Sequence, residues 1–191
     1  MCLLEEALGP DIDAPARRLI VHLPLAQTPS GSVFLVRQET PSTGLLRLKT
    51  WHRTAPADYL VRFHDLREAL IDAAESTIVA PLAVSVAADG RPSVLTEFRR
   101  GVPVLAAVAS GAVSARAAAG LLGPVRDVLC RVRANGLAHG SIVSGNVMVR
   151  PDLKAAFLVD FGLSALLRPH PDPSALASED DAALDALIEA L

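Results

Sequence analysis

Cysteine is scarce, basic residues are not in excess, and long apolar runs are missing. Each shortage removes a class of function. The chain of 191 residues has only Cys2 and Cys130, far apart in sequence. Two isolated thiols give neither a metal-ligand spacing nor a disulfide framework, so a reducing compartment is expected. Lys and Arg number 18 against 21 Asp and Glu, a formal net charge of -3. That balance leaves no electrostatic footprint for nucleic acid, and Arg99-Arg100 reads as solvated surface. No stretch reaches the roughly 20 apolar residues of a membrane span. The opening Met1-Cys2-Leu3-Leu4-Glu5-Glu6 is acidic where a secretory leader is basic. A cytoplasmic protein that binds neither nucleic acid nor membrane is therefore expected. Internal repeats and low-complexity tracts are absent too.

What is present is enough apolar sequence, 51%, for a packed core in one domain or two small lobes. Residues 1–18 read as a short amphipathic helix and a Pro-containing link. Leu19-Ile20-Val21 starts a first strand and Ser32–Val36 its partner, with Ala26–Gly31 as the loop between them. A third strand ends Leu46-Arg47-Leu48-Lys49, where alternation puts Arg47 and Lys49 on one face. Leu60, Phe63, Leu66, Leu70 and Ala73 recur at helical steps and predict a helix over 57–75. Ile78–Val84 and Ser93–Phe98, joined through Asp89-Gly90, form a hairpin that completes five antiparallel strands.

Gly101 and Pro103 mark a boundary. A short helix near 104–110 precedes a long one, from a Ser114 N-cap to about Asn135, closed by Gly136. Its core stripe is Ala118, Leu121, Leu122, Val125, Leu129 and Val132, and Pro124 should kink or split it. After a proline-stiffened loop at Arg168–Pro173, a last helix is expected from near Ser178. Its apolar face (Leu184, Leu187, Ile188, Leu191) should pack on the loop at 139–146 or pair with another copy of the chain.

The chemistry concentrates between His139 and Gly162. His139-Gly140-Ser141 leads through Asn146 into Val147-Met148-Val149. A turn at Pro151-Asp152 follows, then Phe157-Leu158-Val159-Asp160-Phe161-Gly162. Two apolar runs about a tight turn predict a hairpin. Asn146 and Asp160 then stand at one end of it. A carboxylate and an amide oxygen there suit Mg²⁺, a hard cation that shares its oxygen ligands with substrate phosphates.

This stretch resembles the core of the protein kinase-like superfamily, bacterial Ser/Thr kinases in particular. His139-Gly140-Ser141 is similar to the family's His-Arg-Asp or His-Gly-Asp triplet, Asn146 stands at the metal-binding Asn, and Asp160-Phe161-Gly162 is a complete Asp-Phe-Gly motif. The resemblance covers residues 19–191. It implies an α+β, two-lobed fold: an N-lobe at 19–100 with a five-stranded sheet and one helix, and an abbreviated helical C-lobe at 101–191. It implies ATP and Mg²⁺ as ligands, with Asn146 and Asp160 on the metal and Lys49 on the phosphates, oriented by Glu68, the best candidate, with Asp65 and Glu75 as the alternatives. Gly31 and Val33 would belong to the phosphate-covering hairpin. Thr96 would guard the adenine pocket, Glu97 to Arg99 would form the hinge, and Met148 would lie under the adenine. Arg47 stands where the family keeps a small residue, so it would crowd the nucleotide. His139 alone could serve as a general base; in the family it is structural.

The departure is Ser141, which stands where the family has its catalytic aspartate. Val143 also replaces a lysine near the transferred phosphate. A serine carries no charge at pH 7 and is a poor base. The expected function is therefore a pseudokinase: a nucleotide-binding or regulatory module whose partner is another protein. The alternatives are a weak or atypical ATP-dependent Ser/Thr kinase and a small-molecule phosphotransferase.

Overall fold

The structure is a computed structural model that describes residues 19–38, 44–73 and 75–191. The helix expected within residues 1–18 lies outside them. The protein is mixed α+β, with a five-stranded antiparallel sheet and several helices. Its contacts divide it into two compact units, one of Met1–Leu60 with Pro81–Phe98 and one of Val61–Ala80 with Arg99–Leu191.

The first unit is the sheet, formed by β1 (Leu19–Thr28), β2 (Gly31–Gln38), β3 (Leu46–Trp51), β4 (Pro81–Val86) and β5 (Pro92–Glu97) in the order β1-β2-β3-β5-β4. Alternation along β2 and β3 sends Val36, Leu46 and Leu48 into one apolar cluster with Leu19, packed by Val21, Phe34 and Leu95. The other face of β3 carries Arg47 and Lys49. Strand β1 lies at an edge, which explains how it contains Pro24: an edge position need not donate a ladder hydrogen bond. Two register shifts, between Val21 and Leu23 and between Pro24 and Ala26, keep that edge irregular.

The connection between β1 and β2 corrects the sequence expectation. The strands pair as far as Thr28 and Gly31, so the turn is Pro29-Ser30 alone and not the six residues Ala26–Gly31. Gly31 is required by close approach: a Cβ there would run into the Thr50 carbonyl on β3. Its glycine character therefore follows from strand packing.

The second unit takes most of α1 (Tyr59–Ala73), then β6 (Val102–Pro103), α2 (Val104–Ala109), α3 (Ala115–Arg133), β7 (Val147–Val149), β8 (Ala156–Leu158) and α4 (Pro173–Glu189). The helix expected within 19–100 thus packs, from Val61 onward, with residues of this unit. Strands β6, β7 and β8 make a small sheet, and α3 packs against β8 and α4. Ser114 caps α3 by accepting the Ala117 amide at 3.2 Å. Ala118, Leu122, Val125, Val128, Leu129 and Val132 are its buried residues. Pro124 does not split the helix, which runs through it to Arg133.

Helix α4 begins five residues before the expected start. Asp172 is its N-cap, accepting the Ser174 amide at 2.9 Å, and Pro173 is its first residue. Proline suits that position because the first helical N–H has no intrahelical partner. The apolar face of α4 is covered within the chain: Leu184 and Leu187 are buried, Ile188 and Leu191 half-buried. Among the described residues, no helix is long and apolar enough to cross a membrane.

Candidate functional site

The loop from His139 to Asn146 and the turn at Asp160–Gly162 belong to the second unit and are tied together by backbone bonds. Val147 pairs with Leu158 across β7 and β8. The ladder continues one step further, with the Val159 amide donating to the Asn146 carbonyl at 3.0 Å. Asn146 and Asp160 therefore emerge at the same end of the ribbon. The Asn146 side-chain amide donates to the Ser141 carbonyl at 3.0 Å. That commits Nδ2 inward and leaves Oδ1 as the atom suited to a cation. Ser144 Oγ accepts the Leu105 amide at 3.3 Å, fixing the middle of the loop to α2.

His139 is wholly buried, with 0% exposure. Its Nε2 is 3.0 Å from the Val159 carbonyl and its ring stands edge-on to Phe161, centroids 5.4 Å apart. An imidazole held this way is a strut between loop and turn and cannot take a proton from a substrate. The Gly162 amide donates back to the His139 carbonyl at 3.1 Å. Asp160 is 2% exposed and adopts φ 62°, a left-handed conformation that Asp tolerates better than most residues.

The loop rests on α4. Asp180, 2% exposed, accepts the His139 amide at 2.7 Å and the Gly140 amide at 2.9 and 3.1 Å. Burial raises its pKa above the usual carboxylate range, and the two backbone amides oppose the shift. Sequence reasoning missed this residue, although Leu176, Asp180, Leu184 and Leu187 fall on one helical stripe. A carboxylate on a stripe of buried leucines signals a buried acceptor. Arg62 on α1 was missed too: its two terminal nitrogens donate to the Ala165 and Arg168 carbonyls, at 2.7 and 3.0 Å.

Of the remaining candidates in this unit, Ser141 is half-buried, Val143 exposed, Met148 half-buried on β7 and Glu68 exposed on α1. Arg99 donates to the Ser76 carbonyl at 2.6 Å, a structural tie to the loop that follows α1.

In the first unit, Lys49 pairs with Val33 on β2 and Val94 on β5, and Arg47 with Leu35 and Thr96. Thr96 is buried, its hydroxyl 3.5 Å from the Arg47 carbonyl, and Glu97 is exposed. The Lys49 ammonium lies 5.1 Å from the centre of the Trp51 ring, two residues along the same face. Trp51 also escaped sequence reasoning, although the alternation that relates Arg47 to Lys49 extends to it.

Among the described residues, no group of three or more His, Cys, Asp or Glu side chains gathers to hold a metal. Asn146 and Asp160 offer two oxygen ligands, a set that fits Mg²⁺ completed by water and phosphate oxygens rather than a closed protein cage. No protein-family model matches the chain, and no curated protein is significantly similar to it.

Proposed function

We propose that the protein is a two-lobed, kinase-like pseudokinase: a nucleotide-binding regulatory module that does not transfer phosphate efficiently. The reading is carried by the loop at Ser141. Its carbonyl is gripped by Asn146 and the two preceding amides by Asp180, yet the group so placed is a serine hydroxyl. A loop built to hold one side chain in position, ending in a group that neither accepts a proton at pH 7 nor carries charge, retains the scaffold of catalysis without its base. Asn146 and Asp160 would hold Mg²⁺, whose charge would offset that of bound phosphates.

Titration calorimetry with ATP, with and without Mg²⁺, tests this on the wild type and on Asp160→Ala. Mg²⁺-dependent binding that Asp160→Ala abolishes, without turnover, supports the proposal. Binding of neither ATP nor Mg²⁺ leaves a purely protein-binding module, and Asp160-dependent turnover makes the protein an enzyme.

A further inference from the structure

We infer that Arg62 is a built-in latch: it holds the segment after Gly162 in one conformation, so the Asp160 turn is set by the polypeptide itself rather than by a ligand or a covalent modification. Residues 163–172 connect the turn to α4. They include a single 3₁₀ turn, Ala165–Leu167, in which Ala165, Leu166 and Leu167 are all buried. The Ala165 carbonyl accepts the Arg168 amide at 3.0 Å within this turn. Arg62 adds a donor from outside it, one nitrogen to the Ala165 carbonyl and the other to that of Arg168, across more than a hundred residues of sequence. A planar fork presents its donors to two carbonyls in a fixed geometry, whereas a lysine ammonium is a point charge with freely rotating donors.

Four other ties act on the same segment, on the helix that carries the latch or on the residues that follow that helix. Leu66, one turn along α1 from Arg62, packs against Gly162 so closely that a Cβ there would lie 2.8 Å from its methyl groups. Beyond the end of α1, Glu75 pairs with Arg131 at 2.6 Å, and the Leu158 amide donates to the Thr77 carbonyl at 2.8 Å. Arg168 itself pairs with Glu179 on α4 at 2.9 Å. Helix α1 is thus held at its start, middle and end to the unit that contains Asp160. A swing of α1 away from the turn would break the Arg62 bonds and open the Leu66 contact together, so the latch makes α1 and the Asp160 turn move as one body.

Amide hydrogen exchange on the full chain tests the latch. The Leu166, Leu167 and Arg168 amides donate to Gly162, Ser164 and Ala165 carbonyls, so they should exchange slowly in the wild type with no ligand present, and Mg²⁺ with ATP should leave them unchanged. Arg62→Ala should speed their exchange at least tenfold, leaving the α3 amides from Val125 to Val132 as they were, and Arg62→Lys should fall between. Fast exchange at 166–168 in the ligand-free wild type, or protection there that appears only with ATP, overturns the inference. So does an Arg62→Ala profile that is unchanged, or one accelerated equally in α3. Should Arg62→Ala fail to fold, the wild-type profile and the graded effect of Arg62→Lys still decide the matter.

Discussion

Asp180 accepts the main-chain amides of both His139 and Gly140 and connects α4 to the loop that presents Ser141. Its replacement by asparagine keeps the shape but leaves one acceptor oxygen for two donors. Losing part of a buried, charge-assisted set costs about 1–3 kcal/mol. Urea unfolding of Asp180→Asn should show that loss.

The titration of Asp180 adds a pH test. Burial raises its folded pKa above the unfolded value. Its contribution is therefore fully present below the unfolded carboxylate range and is lost as pH rises through the raised folded value. The stability gap between wild type and Asp180→Asn should narrow from acid toward neutral pH. A gap that widens instead would mean the two amides outweigh the burial.

Gly162 and Leu66 provide a test of packing. Gly162 adopts φ 70°, and a Cβ there would meet Leu66 at 2.8 Å. Gly162→Ala should destabilise by about 1–3 kcal/mol, from the left-handed backbone and the clash together. Combining it with Leu66→Ala removes only the clash. A double-mutant cycle should return a favourable coupling of at least ~0.5 kcal/mol; strict additivity would show that the backbone alone carries the cost.

Apolar burial, not charge, should hold α4 to α3. Leu184 is 0% exposed, and its truncation to alanine should cost about 2–5 kcal/mol. Arg126 and Asp185, 2.5 Å apart, are both substantially exposed, at 43% and 57% of their side-chain surface. Asp185→Asn should cost at most ~1 kcal/mol, less at high salt. Thermal melts of both variants at low and high ionic strength check the contrast.

The elements that could be read from sequence are those with local punctuation. Asp89-Gly90 gave away the β4–β5 hairpin, Ser114 the start of α3, and the Pro151-Asp152 turn the ribbon that brings Asn146 and Asp160 to one end. The misread features are those in which one residue type has two meanings. Ala26–Gly31, with its Thr, Pro, Ser and Gly, reads as one loop, although the strands pair as far as Thr28 and Gly31 and only Pro29-Ser30 forms the turn. Pro169, Pro171 and Pro173 read as one stiff loop, although the last follows an Asp N-cap and opens a helix. Asp180 and Asp181 are adjacent and of one type, yet only Asp180 is buried, while Asp181 meets solvent and Arg133. The Arg62 latch has no local signature, because its partners lie more than a hundred residues away.

Phosphate transfer to protein or peptide should be at or near background in the wild type. Loss of a positioned base commonly removes ~10²–10⁴-fold in rate, and Ser141 offers no replacement, since the nearby His139 is buried and committed to the Val159 carbonyl. Ser141→Asp should not restore full activity, because other features stand apart from that position. The β1–β2 turn has only two residues, one of them Pro29, which lacks an N–H, so it has few backbone donors to offer a phosphate. Val143 presents an exposed apolar side chain at the loop and no cation. Arg47 stands on the same face as Lys49, in register with Thr96. Transfer assays on the wild type, Ser141→Asp and Ser141→Asp with Asp160→Ala separate these contributions. A small gain in Ser141→Asp that vanishes with Asp160→Ala fits a site lacking more than its base. Robust, Asp160-dependent transfer by the wild type would mean that the substrate hydroxyl loses its proton without a protein base, and the pseudokinase reading would fall.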